Sequence, residues 1–150
     1  MKAATYSRYG GPEVVSITQQ PRPEPSENEV LIRVHASTVS AGDWRMRSLE
    51  VPRGLGLAIR VFAGWRRPRK PVLGGDAAGI IVDMGAKVEN WSIGDAVGAY
   101  PGAAVGGHGD YLVIPGDGAM ALKPAALSFP EAAAIAFGGL TALEFLQDKG

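Results

Sequence analysis

Glycine and proline interrupt the apolar segments of this chain at short, regular intervals, and that punctuation limits what it can fold into. The sequence holds 21 glycines and 11 prolines among 150 residues, about a fifth of the chain and below the roughly 25–30% that marks low-complexity sequence. Glycine reaches backbone angles closed to other residues, and proline cannot donate to a hydrogen-bond ladder, so turns dominate and long helices are few. Between the turns, residues 2–7, 14–18, 29–39, 77–84, 95–100, 110–115 and 119–123 read as strands. In 29–39, Val30, Ile32, Val34 and Ala36 alternate with Leu31, Arg33 and His35, which predicts one buried face and one partly solvated face. Short strands at even spacing predict a mainly β, barrel-like body with short helices.

Helical signals are local. Ser40 is placed to N-cap a short helix over Ala41–Ser48, and 54–62 (GLGLAIRVF) reads as a possible short helix. The character changes at Pro124. Ser128 and Glu131 form a capping-box pair ahead of an alanine-rich helix, with Pro130 tolerated in the first turn. Gly138-Gly139 is expected to break or bend that helix, which resumes over Leu140–Lys149 and stops at Gly150. Two helical segments are therefore expected at the C-terminus.

The charge balance narrows function. Lys+Arg and Asp+Glu both number 15, which argues against a nucleic-acid binder or a polybasic membrane protein. There is no cysteine, so no disulfide or cysteine-based zinc site can form, and a reducing cytoplasm fits. Two histidines, His35 and His108, cannot make a three-histidine metal site. Uninterrupted apolar runs such as Gly79–Val82 are far short of the roughly 20 residues of a membrane helix. Neither a Walker sequence, HExxH nor GxSxG occurs. Gly116-Asp117-Gly118-Ala119-Met120-Ala121 fits a loose dinucleotide string, but Pro124 follows too soon for the required helix, leaving a hairpin turn. The run Trp65-Arg66-Arg67-Pro68-Arg69-Lys70 reads as a solvated loop, since no second basic patch supports it. His35 reads as a partly exposed β-face residue and His108 as part of a glycine-rich turn.

Several glycine-bearing segments stand in a telling order: Ser40-Ala41-Gly42-Asp43-Trp44, Gly74-Gly75-Asp76-Ala77-Ala78-Gly79 and Gly138-Gly139-Leu140-Thr141-Ala142. With Tyr9-Gly10-Gly11-Pro12-Glu13-Val14, Asn28–Val34, Gly94–Val97 and Gly109-Asp110-Tyr111, the chain resembles the medium-chain dehydrogenase/reductase superfamily, in its zinc-free quinone-oxidoreductase-like branch. The resemblance covers essentially the whole chain. It implies a GroES-like, partly open β-barrel over 1–124, the catalytic (substrate) domain, and a helical segment over 125–150 leading to a Rossmann domain absent from this chain. Zinc-dependent relatives carry Cys where Ser40 stands, His where Gly75 stands and a further Cys near Phe137, so no zinc is expected here. Asp43 and Asp76 match acidic positions beside the lost metal.

The resemblance implies a zinc-independent NAD(P)H-dependent oxidoreductase that passes hydride to quinones, enones or related carbonyls. NADPH or NADH would be bound mainly by the absent domain, and this domain alone is expected to be inactive. Ser40, Asp43 and Thr141 are the expected catalytic residues, with Ser40 and Thr141 beside the nicotinamide. Trp44, Asp76 and Tyr100 are expected around the substrate cleft. A homo-oligomer is expected, cytoplasmic, with a small-molecule carbonyl or quinone partner and neither nucleic acid nor membrane. The alternative is a stand-alone GroES-like binding or assembly module without catalytic activity. An ordinary zinc alcohol dehydrogenase is set aside by the missing ligands.

Overall fold

The computed structural model describes residues 1–50, 60–61 and 63–148. Strands β1 (Lys2–Tyr6) and β2 (Val15–Gln19) pair as an antiparallel hairpin. Strands β3 (Glu29–Ser37), β4 (Ala77–Met84), β5 (Ala96–Ala99), β6 (Tyr111–Pro115) and β7 (Met120–Leu122) build an antiparallel five-stranded sheet in the order β6-β3-β4-β5-β7. Single bridges, Ala3 to Gly109 and Thr5 to Val72, fasten the hairpin to this sheet's connections. The outer strands β6 and β7 do not pair with each other, so the barrel is partly open, as the resemblance implies.

Aliphatic alternation explains the core. Val30 and Ile32 of β3, Ile81 of β4, Val97 of β5 and Leu112 and Ile114 of β6 project to one side and form a single buried cluster. Leu31, on the opposite face, is also buried at 1% exposure. The second face of β3 is thus covered at its start and opens to solvent only from Arg33 onward. The register between β3 and β4 shifts between Val34 and Ala36, leaving His35 as an extra residue in a bulge. That bulge sets the His35 ring against Phe129, centroids 4.4 Å apart.

Helix α1 (Ala41–Ser48) follows β3 and ends at Leu49 in the left-handed region, φ 55°. Helix α2 (Phe129–Asp148) starts at the expected capping box: Ser128 N–H and Oγ–H donate to Glu131 Oε2, at 2.7 and 2.6 Å. It does not break at Gly138-Gly139. Glycine keeps its backbone donor and costs about 1 kcal/mol in a helix interior, unlike proline. The N-terminal turns, docked through buried Ala132 and Ala133 against Ala78, carry the helix through. By length and composition Phe129–Gln147, mean hydropathy 1.3, would suffice to cross a membrane, which the short apolar runs of the sequence did not foretell. Its start instead packs on β3, β4 and β5. Of the possible helix at 54–62, Arg60 and Val61 are described and helical, and the rest lies outside the described residues.

Candidate functional site

The chemistry gathers where β3 turns into α1 and where the chain enters β4. Ser40 caps α1, and the capping box is closed by Asp43. Asp43 Oδ2 accepts from Ser40 N–H at 2.8 Å and from Ser40 Oγ–H at 3.0 Å. Its Oδ1 accepts from Gly74 N–H at 2.9 Å. Asp43 is 5% exposed, so a buried carboxylate with both oxygens engaged fastens α1 to the approach of β4. Gly74 sits at φ +103°, and a Cβ there would lie 2.5 Å from the His108 nitrogen. Only glycine fits.

The next two residues behave differently. A Cβ on Gly75 would meet nothing within 4 Å, so the space beside it is open. Asp76 is 3% exposed. Its Oδ2 accepts from Thr38 Oγ–H at 2.7 Å, and its backbone carbonyl accepts from Ser37 Oγ–H at 2.7 Å. Asp76 Oδ1 is buried with no hydrogen-bond partner among the described residues. A buried carboxylate oxygen without a donor is costly unless a ligand or solvent supplies one.

A cleft of about 180 Å³ brings together Ser40, Asp43, Gly75, Asp76, Tyr100 and Phe137. Tyr100 and Phe137 stack with centroids 5.7 Å apart and form its aromatic wall. Val105 also lines it, at φ 48°, a strained position for a β-branched residue and of the kind that recurs at functional sites. Among the described residues, neither Lys, Arg nor His lines it. The lining side chains are two carboxylates, the hydroxyl-bearing Ser40 and Tyr100, the Phe137 ring and the apolar Met46 and Val105. Tyr100 also borders an apolar groove of about 450 Å³ between β5, β7 and α2, where Met120, Leu122, Ile135 and Leu140 lie.

Four expected site residues, Ser40, Asp43, Asp76 and Tyr100, meet in the cleft. Trp44 does not: it lines a separate groove with Val39, Leu73 and His108. Thr141 lies one helical turn beyond Phe137 on α2, outside the cleft lining. Thr38, which holds Asp76, and Phe137 as a wall were not singled out for these roles from sequence, because each depends on contacts distant along the chain. His108 is more than a turn residue, since its Nε2 lies 2.8 Å from the Thr38 carbonyl. In the buried cluster of Tyr6, Val14 and Leu73, burial pushes the Tyr6 pKa up to about 12, with Tyr9 and the Asp43 charge adding to the effect.

The donor set does not suit zinc. Ser40, Gly75 and Phe137 offer neither thiolate nor imidazole, and among the described residues no group of three or more His, Asp or Glu could hold a metal ion.

Residues 26–125 match the alcohol dehydrogenase GroES-like domain family. The chain is 31% identical over 147 residues to a chloroplast envelope quinone oxidoreductase homolog of Arabidopsis thaliana, covering 97% of this chain and 42% of that protein. Among solved structures it is similar to a quinone oxidoreductase from Coxiella burnetii, TM-score 0.83 at 29% identity, covering 99% of this chain and 44% of that one. It is similar also to an Escherichia coli quinone oxidoreductase complexed with NADPH, TM-score 0.76 at 29% identity, covering 99% and 41%. The chain spans about two fifths of the length of these relatives.

Proposed function

Because the chain belongs to the alcohol dehydrogenase GroES-like domain family, in the quinone-oxidoreductase-like branch of the medium-chain dehydrogenases/reductases, we propose that it is the substrate domain of a zinc-independent NAD(P)H oxidoreductase. Its acceptors are neutral, electron-poor carbonyls such as quinones and enones. The nicotinamide, held mainly by a dinucleotide-binding domain, supplies the hydride.

The chain's own residues bind, orient and shelter the acceptor. Tyr100 and Phe137 present ring faces on which a flat conjugated acceptor stacks. With a quinone acceptor, whose reduction takes the hydride together with protons from solvent, Asp76 Oδ1 accepts a hydrogen bond from a hydroxyl of the hydroquinone formed, satisfying the orphaned oxygen. Ser40 Oγ, at the cleft surface, is the short polar contact toward the nicotinamide side, with Thr141 further along α2. Asp43 is a positioning residue: its carboxylate is committed to Ser40 and Gly74. Two carboxylates with no cation in the lining repel anionic acceptors, so keto acids are disfavoured.

The observation that carries this reading is the buried, donor-less Asp76 Oδ1 beside the open space at Gly75. The test is NADPH oxidation by the intact protein with a panel of neutral quinones and enones against carboxylate-bearing carbonyls. Turnover restricted to neutral acceptors supports the reading. No turnover with any of them, or a preference for the anionic ones, overturns it.

A further inference from the structure

Among the described residues, the segment leading into β4 reaches the cleft only at its end, at Gly75, yet it concentrates the chain's positive charge. Residues 51–75 hold five arginines, one lysine and no acidic residue, leaving nine basic against fifteen acidic residues elsewhere. In the sequence the Trp65–Lys70 run stands alone; the fold supplies a second basic contribution. Tyr9 Oη–H donates to the Gly64 carbonyl at 2.8 Å, and Arg47 Nη1 donates to the Gly10 carbonyl at 2.8 Å. These bonds draw the loop after β1, with exposed Arg8, and the end of α1, with exposed Arg45, toward the basic run. The acids of those two segments are Glu13, which accepts from Gly11 N–H, and Glu50.

The loop is built. Gly64 N–H donates to the Arg60 carbonyl, Arg69 N–H to the Ala63 carbonyl, and Arg60 Nη1 to the Trp65 carbonyl at 3.1 Å. It presents Trp65 at 57% exposure, one turn after Val61 at 59%, flanked by exposed Arg66 and Arg67. Among the described residues neither Arg66 nor Arg67 is paired with a carboxylate.

We propose that this face docks on an anionic lipid bilayer, the guanidinium groups against headgroup phosphates and Trp65 with Val61 at the interfacial layer. Cations alone would suit any polyanion. An exposed tryptophan at the tip of the patch gains where an apolar layer lies beneath the charge. The acidic excess over the rest of the chain repels a nucleic acid that wraps, whereas a flat bilayer touches only the patch. The proposal rests on charge and exposure and is independent of the oxidoreductase reading.

The test is co-sedimentation of the chain with vesicles of phosphatidylcholine containing about 30 mol% phosphatidylglycerol, against phosphatidylcholine alone, near physiological ionic strength. Binding only to the anionic vesicles, weakened by added salt, is expected. The double variant Arg66→Gln/Arg67→Gln is expected to reduce partitioning roughly 25-fold, about fivefold per cation, with an unchanged melting temperature. Trp65→Ala, with every charge kept, is expected to reduce it several-fold. Equal binding to both vesicles, none to the anionic ones, or binding indifferent to these substitutions overturns the proposal. So does tighter binding to a single-stranded oligonucleotide with no vesicle binding.

Discussion

Removing the Asp43 carboxylate should cost far more stability than removing its capping partner, although both belong to one local motif. Ser40→Ala deletes a cap and is expected to cost about 1 kcal/mol. Asp43→Ala leaves Ser40 N–H and the buried Gly74 N–H without acceptors, each worth about 1–3 kcal/mol, giving roughly 2–6 kcal/mol in all. Asp43→Asn falls between, about 2 kcal/mol, because in either amide orientation an NH2 group faces a backbone N–H. A domain of this size is stable by about 5–15 kcal/mol, so Ser40→Ala and Asp43→Asn should still fold, and Asp43→Ala should melt at the lowest denaturant concentration of the three. Urea melts followed by circular dichroism, with m-values compared to confirm a common unfolded state, provide the measurement. Equal losses for Asp43→Ala and Ser40→Ala would refute the reasoning, as would a neutral Asp43→Asn. Either result would mean that the carboxylate does not fasten α1 to the β4 approach.

Other perturbations discriminate just as clearly. Asp76→Asn keeps an acceptor for Thr38 and removes a buried charge, so stability should change by no more than about 1 kcal/mol; turnover of the intact protein should nevertheless fall about tenfold or more, read by steady-state kinetics. Gly74→Ala forces a side chain to φ +103° and against the His108 backbone, whereas Gly75→Ala enters open space; a loss of more than about 3 kcal/mol against a nearly neutral change is expected in the same melts. Tyr6 bears on alkaline stability. Its folded pKa of about 12 lies above the ordinary 10.0, so its contribution is complete below 10 and is lost as pH rises toward 12, by up to about 2–3 kcal/mol, and Tyr6→Phe should flatten that decline. The exposed Leu140, Leu143 and Leu146 of α2 should drive self-association of the 150-residue chain, and Leu143→Lys/Leu146→Lys should make it monomeric in sedimentation velocity.

What could be read directly from sequence was local. Alternating Val30, Ile32 and Val34 marked β3, and Ser128 with Glu131 marked the start of α2, because such signals act within a few residues. Gly138-Gly139 misled because a breaker was weighed without the packing of Ala132 and Ala133 that holds the helix in register. The covering of Leu31 had no local signal, since alternation reports one face at a time. The cleft was legible as a set of residue types and not as an arrangement. Thr38 holding Asp76 spans 38 positions, and the Tyr100–Phe137 stack joins β5's end to α2; no periodicity announces such pairs. The same limit explains the basic run, which gained neighbours only when Tyr9 and Arg47 tied three segments together.

The question underneath is what completes the hydrogen bonding of Asp76. A structure of the intact protein crystallised with NADP+ and a hydroquinone answers it directly. The account places the hydroquinone hydroxyl within hydrogen-bond distance of Asp76 Oδ1, its ring against Tyr100 and Phe137 and the nicotinamide on the Ser40 side. A hydroquinone bound elsewhere, with Asp76 Oδ1 meeting only donors of its own chain, would contradict it.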